Sequence, residues 1–90
     1  MAIIKEIQLN TEVWKEGKMF VSYIPQLDVS SCGKTVDEAR KNIREAAELF
    51  LEESEKAGTI NQILEEAGFS FDKIWQAPEL VALEKVRLAF

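Results

Sequence analysis

The chain has 90 residues, and among them there is no histidine and only one cysteine, Cys32. A single cysteine cannot close an intramolecular disulfide, and a zinc site built from cysteine and histidine needs more of these ligands than the chain has. A nucleophile activated by a neighbouring histidine is excluded as well. The fold and the function therefore have to be explained without a disulfide framework, a zinc site or a histidine-dependent catalytic triad.

Long apolar runs and an excess of basic residues are also missing. No stretch approaches the roughly 18 apolar residues of a membrane span, and the N-terminus has no basic region followed by a sustained apolar run. These patterns predict a cytoplasmic protein without a membrane partner. Eleven basic against sixteen acidic residues give a net charge of −5, which disfavours nucleic acid and favours a basic protein partner.

The composition that is present is typical of a folded domain. Hydrophobic residues make up 47% of the chain and charged residues 30%, far from the composition of a disordered segment. Ninety residues are enough for one hydrophobic core but not for two. We expect a single domain over residues 1–90.

The first third of the chain predicts a three-stranded antiparallel meander. Apolar and polar residues alternate over residues 3–14, the pattern of a half-buried strand. Gly17 suits a hairpin turn, Met19 to Ile24 forms a second strand that Pro25 ends, and Val29 to Gly33 forms a weaker third strand.

A long helix follows the meander. Thr35 and Glu38 have the spacing of a capping box, so the helix is expected to begin at Val36 and to run to Ala57, with Gly58 behind it. The apolar residues of this segment gather on one side of the helix, which must pack on the sheet. They are at positions 36, 39, 43, 46, 47, 50 and 51.

The remaining residues predict a short second helix and a C-terminal strand. Thr59 is placed to cap the second helix, and Gly68 ends it. Residues 79–90 alternate in a way that favours a strand covered on both sides, although a helix is left open as an alternative. Trp14, Phe69, Phe71 and Trp75 lack interleaved basic residues, which favours a core or a subunit contact over base stacking.

A set of residues around the helix start is similar to a known family. It comprises Tyr23, Pro25, Leu27, Gly33, Thr35, Asp37, Glu38, Ala39, Asn42–Ile43, Glu45–Ala46 and Leu49. With this spacing the chain resembles the HicB-like antitoxin family from about residue 5 to residue 51. The resemblance implies a small α+β domain of degenerate RNase H-like topology that neutralises HicA-type toxins, which cleave messenger RNA. Relatives usually carry a Pro-Gly turn after the leucine, whereas Asp28 follows Leu27 here.

Four glutamates on the long helix are the candidate partner-binding residues. Their spacing of three, four and three places them on one face, opposite the apolar side, with Leu49 at its border. The simpler interpretation is a solvated outer face. The functional interpretation is an acidic strip that covers the basic RNA-binding surface of a toxin. The candidate residues are Glu45, Glu48, Leu49, Glu52 and Glu55.

Carboxylates could instead belong to a residual nuclease that holds two metal ions. Glu6 and Glu12 lie on the polar side of the first strand, and the helical glutamates point to water without converging on a pocket. We therefore expect no enzyme, and no catalytic, cofactor-binding or metal-binding residues. No glycine-rich loop able to cradle a phosphate is present either.

The sequence thus predicts an α+β fold: a three-stranded antiparallel meander with a long helix packed on one face, a short second helix and a C-terminal strand. The expected function is that of a non-catalytic antitoxin which binds and occludes a HicA-like toxin. The alternative is a stand-alone oligomeric protein that binds a small ligand or acts as a regulator, and a residual nuclease comes third. The apolar C-terminal run predicts a homo-oligomer, a dimer or a multiple of one, and it matches no DNA-binding module.

Overall fold

The computed structural model describes residues 6–90 and has the predicted α+β architecture. Three antiparallel strands form one sheet, the long helix packs on it, and short strands near the C-terminus form a second sheet. The elements in chain order are β1 (Ile7–Gln8), β2 (Glu12–Glu16), β3 (Met19–Ile24), β4 (Val29–Gly33), α1 (Val36–Lys56), α2 (Ile60–Glu66), β5 (Ser70–Asp72) and β6 (Ile74–Gln76).

The meander has the order β2-β3-β4, with Val13 opposite Ser22 and Ser22 opposite Ser31. The turn from β3 to β4 uses Asp28, whose φ of 53° lies in the left-handed region that favours glycine. Aspartate tolerates this conformation better than most residues because its short side chain can bond locally. The turn after Leu27 therefore contains a residue of positive φ although it has no glycine.

Helix α1 begins as the sequence predicts and lies across one face of the meander. The backbone N–H of Glu38 donates to the Thr35 side-chain oxygen at 3.0 Å, which satisfies one of the unpaired donors at the helix start. Ala39, Ile43 and Ala47 are buried on the side that meets the sheet. Ile43 and Ala47 pack with core residues of the strands, the turn and the following segments, namely Ile24, Leu27, Leu64 and Phe69.

The connection from α1 to α2 differs from the prediction in one detail. Gly58 has a φ of 73°, as expected of a residue that ends a helix. The Thr59 side chain, however, makes no capping bond to α2, and its hydroxyl donates instead to the Ser54 carbonyl at 3.4 Å. The second predicted cap is therefore wrong, because Thr59 is used to close the end of α1.

A second small sheet joins the two ends of the chain. Its order is β1-β6-β5, with Ile7 parallel to Trp75 and with β5 and β6 antiparallel. The Trp75 N–H donates to the Glu6 carbonyl at 2.9 Å, and the Ala77 N–H donates to the Gln8 carbonyl at 3.2 Å. This sheet holds the segment after α2 against the start of the chain.

The predicted first strand is divided in two. Its residues 3–5 lie outside the described part of the chain, and residues 9–11 separate β1 from β2. The break arises because β1 pairs with β6 whereas β2 pairs with β3, so one alternating segment serves two sheets. An alternation of apolar and polar residues cannot indicate such a change of partner.

The predicted C-terminal strand is wrong in its position. The strands at this end are β5 and β6, which join β1 instead of extending the meander, and residues 77–90 form neither helix nor strand. A strand requires a hydrogen-bonded neighbour, and the alternation over residues 79–90 supplies no such neighbour within the chain. Among residues 6–90, no helix is both long enough and apolar enough to cross a membrane.

Candidate functional site

The two sides of α1 have opposite character. The helix has 21 residues and is therefore about 31 Å long. Its buried residues face the sheet, and Ser54, which is also buried, donates a hydrogen bond to the Phe50 carbonyl at 2.8 Å. The opposite side presents all five candidate residues to solvent, namely Glu45, Glu48, Leu49, Glu52 and Glu55. We call these five residues the acidic strip.

Leu49 is the apolar member of the acidic strip. Its side chain is 59% exposed, whereas Leu51, the other leucine of α1, packs against the core. Single exposed leucines are common on protein surfaces and need no explanation by themselves. In this position, however, Leu49 provides an apolar contact surrounded by carboxylates, which is the composition of a small interface with a charged rim.

The charge of the acidic strip is partly compensated at one end. The Arg44 guanidinium lies 3.4 Å from the Glu48 carboxylate, one turn away on the same helix. Glu55 at the other end borders a small cavity of about 80 Å³, where Leu51, Ile60 and Trp75 also lie. Leu49 and Glu52 lie in the middle of the strip, and both are exposed to solvent.

The face of the meander opposite α1 carries a second group of partly exposed side chains. Trp14 and Cys32 are exposed there, and the Trp14 indole donates to the Glu12 carboxylate at 2.9 Å. The exposure of Cys32 does not support a role as a small packing residue. The Tyr23 hydroxyl donates to the Asp28 carboxylate at 2.9 Å, and this hydrogen bond raises the pKa of Tyr23 above its ordinary value.

The aromatic residues are divided between the core and the surface. Phe69 is buried and Trp75 packs against the core, as a structural role predicts. Phe71 and Trp14 are exposed, and the Phe71 ring lies 5.1 Å from the Trp75 ring. The four side chains do not form one platform, because Trp14 belongs to the meander and the others to the segment after α2.

The carboxylates considered for a nuclease belong to different sheets. Glu6 precedes β1, whereas Glu12 is the first residue of β2 and accepts the Trp14 bond. Within the described residues 6–90, no group of three or more histidine, cysteine, aspartate or glutamate side chains is arranged to hold a metal ion.

Sequence reasoning did not anticipate a cleft beside β2. It encloses about 810 Å³ between residues 9–14 and residues 78–85, with Pro25 and Gln26 at one end. Leu80 and Leu83 line it and are mostly exposed, so the cleft is a groove on the surface and not an enclosed chamber. The cleft forms only because residues 78–85 run beside β2. The alternation of apolar and polar residues does not predict the path of this segment.

Comparison of the chain with protein-family models, with curated proteins and with solved structures found no match. The function has to be argued from the residues and their arrangement.

Proposed function

We propose that the chain is a HicB-like, non-catalytic antitoxin that binds a HicA-like toxin and blocks its RNA-binding surface. The observation that carries the proposal is the acidic strip on the outer face of α1. Two further features support it. The residues from Tyr23 to Leu49 have the spacing found in the family, and the helix that carries the strip is capped at Thr35 and fixed to the sheet.

Electrostatic complementarity would bring the two proteins together. A toxin that cleaves messenger RNA must present positive charge to the phosphates, and the acidic strip presents carboxylates on a rigid helix. The antitoxin then occupies the surface that RNA would otherwise contact. Because an exposed charge pair contributes only about 0–1 kcal/mol, the strip mainly accelerates association, and Leu49 would supply an apolar anchor.

The test first searches the neighbouring genes for a small basic protein and then measures its binding to this chain. The variant Glu48→Lys with Glu52→Lys reverses the charge in the middle of the acidic strip. Its control is Glu53→Lys with Glu65→Lys, two exposed residues outside the strip. Each pair of changes moves the net charge from −5 to −1, because each Glu→Lys change adds two positive charges.

We expect the strip variant to associate on the order of tenfold more slowly than the control at low salt, with a smaller change in the dissociation rate. Surface plasmon resonance across a salt series gives both rates, and circular dichroism checks that each variant is folded. Equal association rates for the two variants would show that the toxin docks elsewhere. The absence of any binding partner among the neighbouring gene products would contradict the antitoxin proposal itself.

The small-ligand alternative has less support. A ligand-binding protein usually surrounds most of its ligand with apolar walls. The groove beside β2 does not do so, because its wall of residues 78–85 is exposed. No observation favours this alternative over the antitoxin proposal.

A further inference from the structure

Residues 79–90, which we call the C-terminal segment, leave a large apolar surface uncovered. The segment is exposed along its whole length and contains neither glycine nor proline. The radius of gyration is 15.2 Å, against about 12 Å for a compact domain of this length, so the chain is less compact than usual. Its exposed large apolar side chains are Leu80, Val81, Leu83, Val86, Leu88 and Phe90. Such a surface is typical of a segment that binds a protein.

The edge of the meander offers a matching surface. Strand β2 is the outermost strand of the order β2-β3-β4, and within residues 6–90 no strand pairs with its other side. An edge of this kind presents unpaired N–H and C=O groups that can pair with an added strand. The groove of about 810 Å³ follows this edge over residues 9–14.

Pairing within one chain would be unfavourable. Gln8 is opposite Gln76 in a parallel register, so a segment that continued β6 beside the following residues of the first strand would run parallel to β2. Continuing that register would put Glu84 opposite Glu16, and like charges directly opposite each other are destabilising. Val86, Leu88 and Phe90 would then lie beyond the end of β2.

An antiparallel register gives complementary pairs instead. With Val86 opposite Val13, Arg87 is opposite Glu12 and Glu84 is opposite Lys15, so each charged pair has opposite signs. Lys85 then lies opposite Trp14, whose exposed indole can accept a cation on its face. The charged residues Glu84, Lys85 and Arg87 are thus all matched in this one register.

The C-terminal segment cannot easily pair in the antiparallel direction with β2 of its own chain. To reverse its course, the segment would need a tight turn between Ala77 and Leu83. The intervening residues include Pro78 but no glycine, asparagine or aspartate, the residues that tight two-residue hairpin turns favour because these turns need a positive φ. A second copy related by a two-fold axis supplies the reversed direction without any turn.

We propose that the C-terminal segment of each copy adds as an antiparallel strand to the β2 edge of a second copy, with Val86 opposite Val13. The exchange is reciprocal, so each copy gives one strand and receives one. The meander becomes four-stranded, and the partner's segment takes the place beside β2 that residues 78–85 of the same chain border in the single copy. This dimer gives a specific structure to the homo-oligomer expected from the sequence, and it does not depend on the antitoxin proposal.

A cross-linking experiment on the full chain tests the register and the origin of the strand. Exposed Cys32 is first replaced with serine to remove the native thiol. In that background, Val13→Cys combined with Val86→Cys should form a covalent dimer on oxidation. The control combines Val13→Cys with Val81→Cys, which would be opposite each other only in the parallel register within one chain. An internally cross-linked monomer from the control, with no dimer from the first variant, would overturn the proposal.

A charge exchange tests the same pairing without cysteines. Glu12→Arg and Arg87→Glu should each raise the dimer dissociation constant by about tenfold, because each change affects two symmetric contacts. Combining the two changes should restore the dissociation constant to near that of the unaltered chain. Sedimentation equilibrium measures the dimer dissociation constant of the unaltered chain, the two single variants and the double variant. A monomeric unaltered chain at micromolar concentration, or a double variant no tighter than the single ones, would contradict the proposed pairing.

Discussion

Gly33 lies where the end of β4 comes closest to the start of α1. A Cβ atom at this position would be 2.6 Å from the backbone nitrogen of Ala39 and 2.9 Å from the carbonyl carbon of Glu38. Both atoms belong to the helix backbone and cannot be moved by a side-chain rotation. Glycine is therefore required here for space, and the Asn42 side chain, which donates to the Cys32 carbonyl at 2.7 Å, holds the same junction together.

Gly33→Ala should accordingly lower the free energy of unfolding by about 1–3 kcal/mol, the usual cost of forcing an atom into a packed region. Urea unfolding at a fixed protein concentration measures the change. Gly17→Ala is the control, because its surroundings are open and only its φ of 60° is unfavourable, which costs roughly 1 kcal/mol. If the Gly33 variant is as stable as the unaltered chain, β4 and α1 can move apart at this junction without lowering the free energy of unfolding.

Tyr23 is the only tyrosine of the chain, so its ionisation can be followed without interference. Its hydroxyl donates to Asp28, which raises its pKa above the ordinary value of 10.0. The protonated form is favoured in the folded state. The contribution to stability is therefore complete below the ordinary pKa and is lost as the pH rises through the raised pKa.

An alkaline titration that follows the ultraviolet absorbance of tyrosinate should show the raised pKa in the unaltered chain. Asp28→Gly should move the pKa back towards its ordinary value, because it removes the acceptor while glycine adopts the φ of 53° without strain. Circular dichroism during the titration shows whether the chain remains folded. The same tyrosine pKa in both proteins would rule out the Asp28 hydrogen bond as its cause.

At the level of the elements, the two threonines before the helices are used differently. Thr35 accepts a bond from the helix that follows it, whereas Thr59 donates to the helix that precedes it. Both have the same sequence signature, and both were predicted as caps. The difference arises because Gly58 brings the chain back over the end of α1, where the Ser54 carbonyl accepts the Thr59 backbone N–H at 3.0 Å and the Thr59 hydroxyl as well.

Thr35→Ala should reduce the free energy of unfolding by about 1 kcal/mol, and Thr35→Ser should largely retain it, since serine also caps helices. Thr59→Ala should have a smaller effect, because its one bond is long at 3.4 Å. Thermal and urea unfolding of the three variants give the comparison. If Thr35→Ala and Thr59→Ala lower the free energy of unfolding equally, the capping bond at Thr35 contributes no more stability than the long bond of Thr59.

For the whole molecule, the separation of Glu6 and Glu12 between two sheets bears on nuclease activity. We predict that the purified chain cleaves neither RNA nor DNA, with or without magnesium or manganese, because these carboxylates do not converge with other acidic groups in the described part of the chain. Cleavage that disappears in Glu6→Gln or Glu12→Gln would move the protein to the nuclease class. A preparation of the double variant controls for contaminating nucleases.

The sequence was sufficient where a signal is local. The cap at Thr35, the hairpin at Gly17 and the outer position of Leu49 follow from neighbouring residues and the helical repeat, and the structure contains all three. Pairings between distant residues could not be predicted in this way. The two-residue strand β1 is too short to show a period, and residues 79–90 have the pattern of a strand without a partner in the chain.

The parallel pairing of Ile7 with Trp75 also has a consequence for synthesis on the ribosome. Strand β1 leaves the exit tunnel early, but its partner β6 is made only after both helices. The meander and α1 can fold as soon as they emerge, since their contacts are closer in sequence. Ile7 therefore stays unpaired while the meander and α1 fold. The second sheet can form only after both helices and β6 have been synthesised.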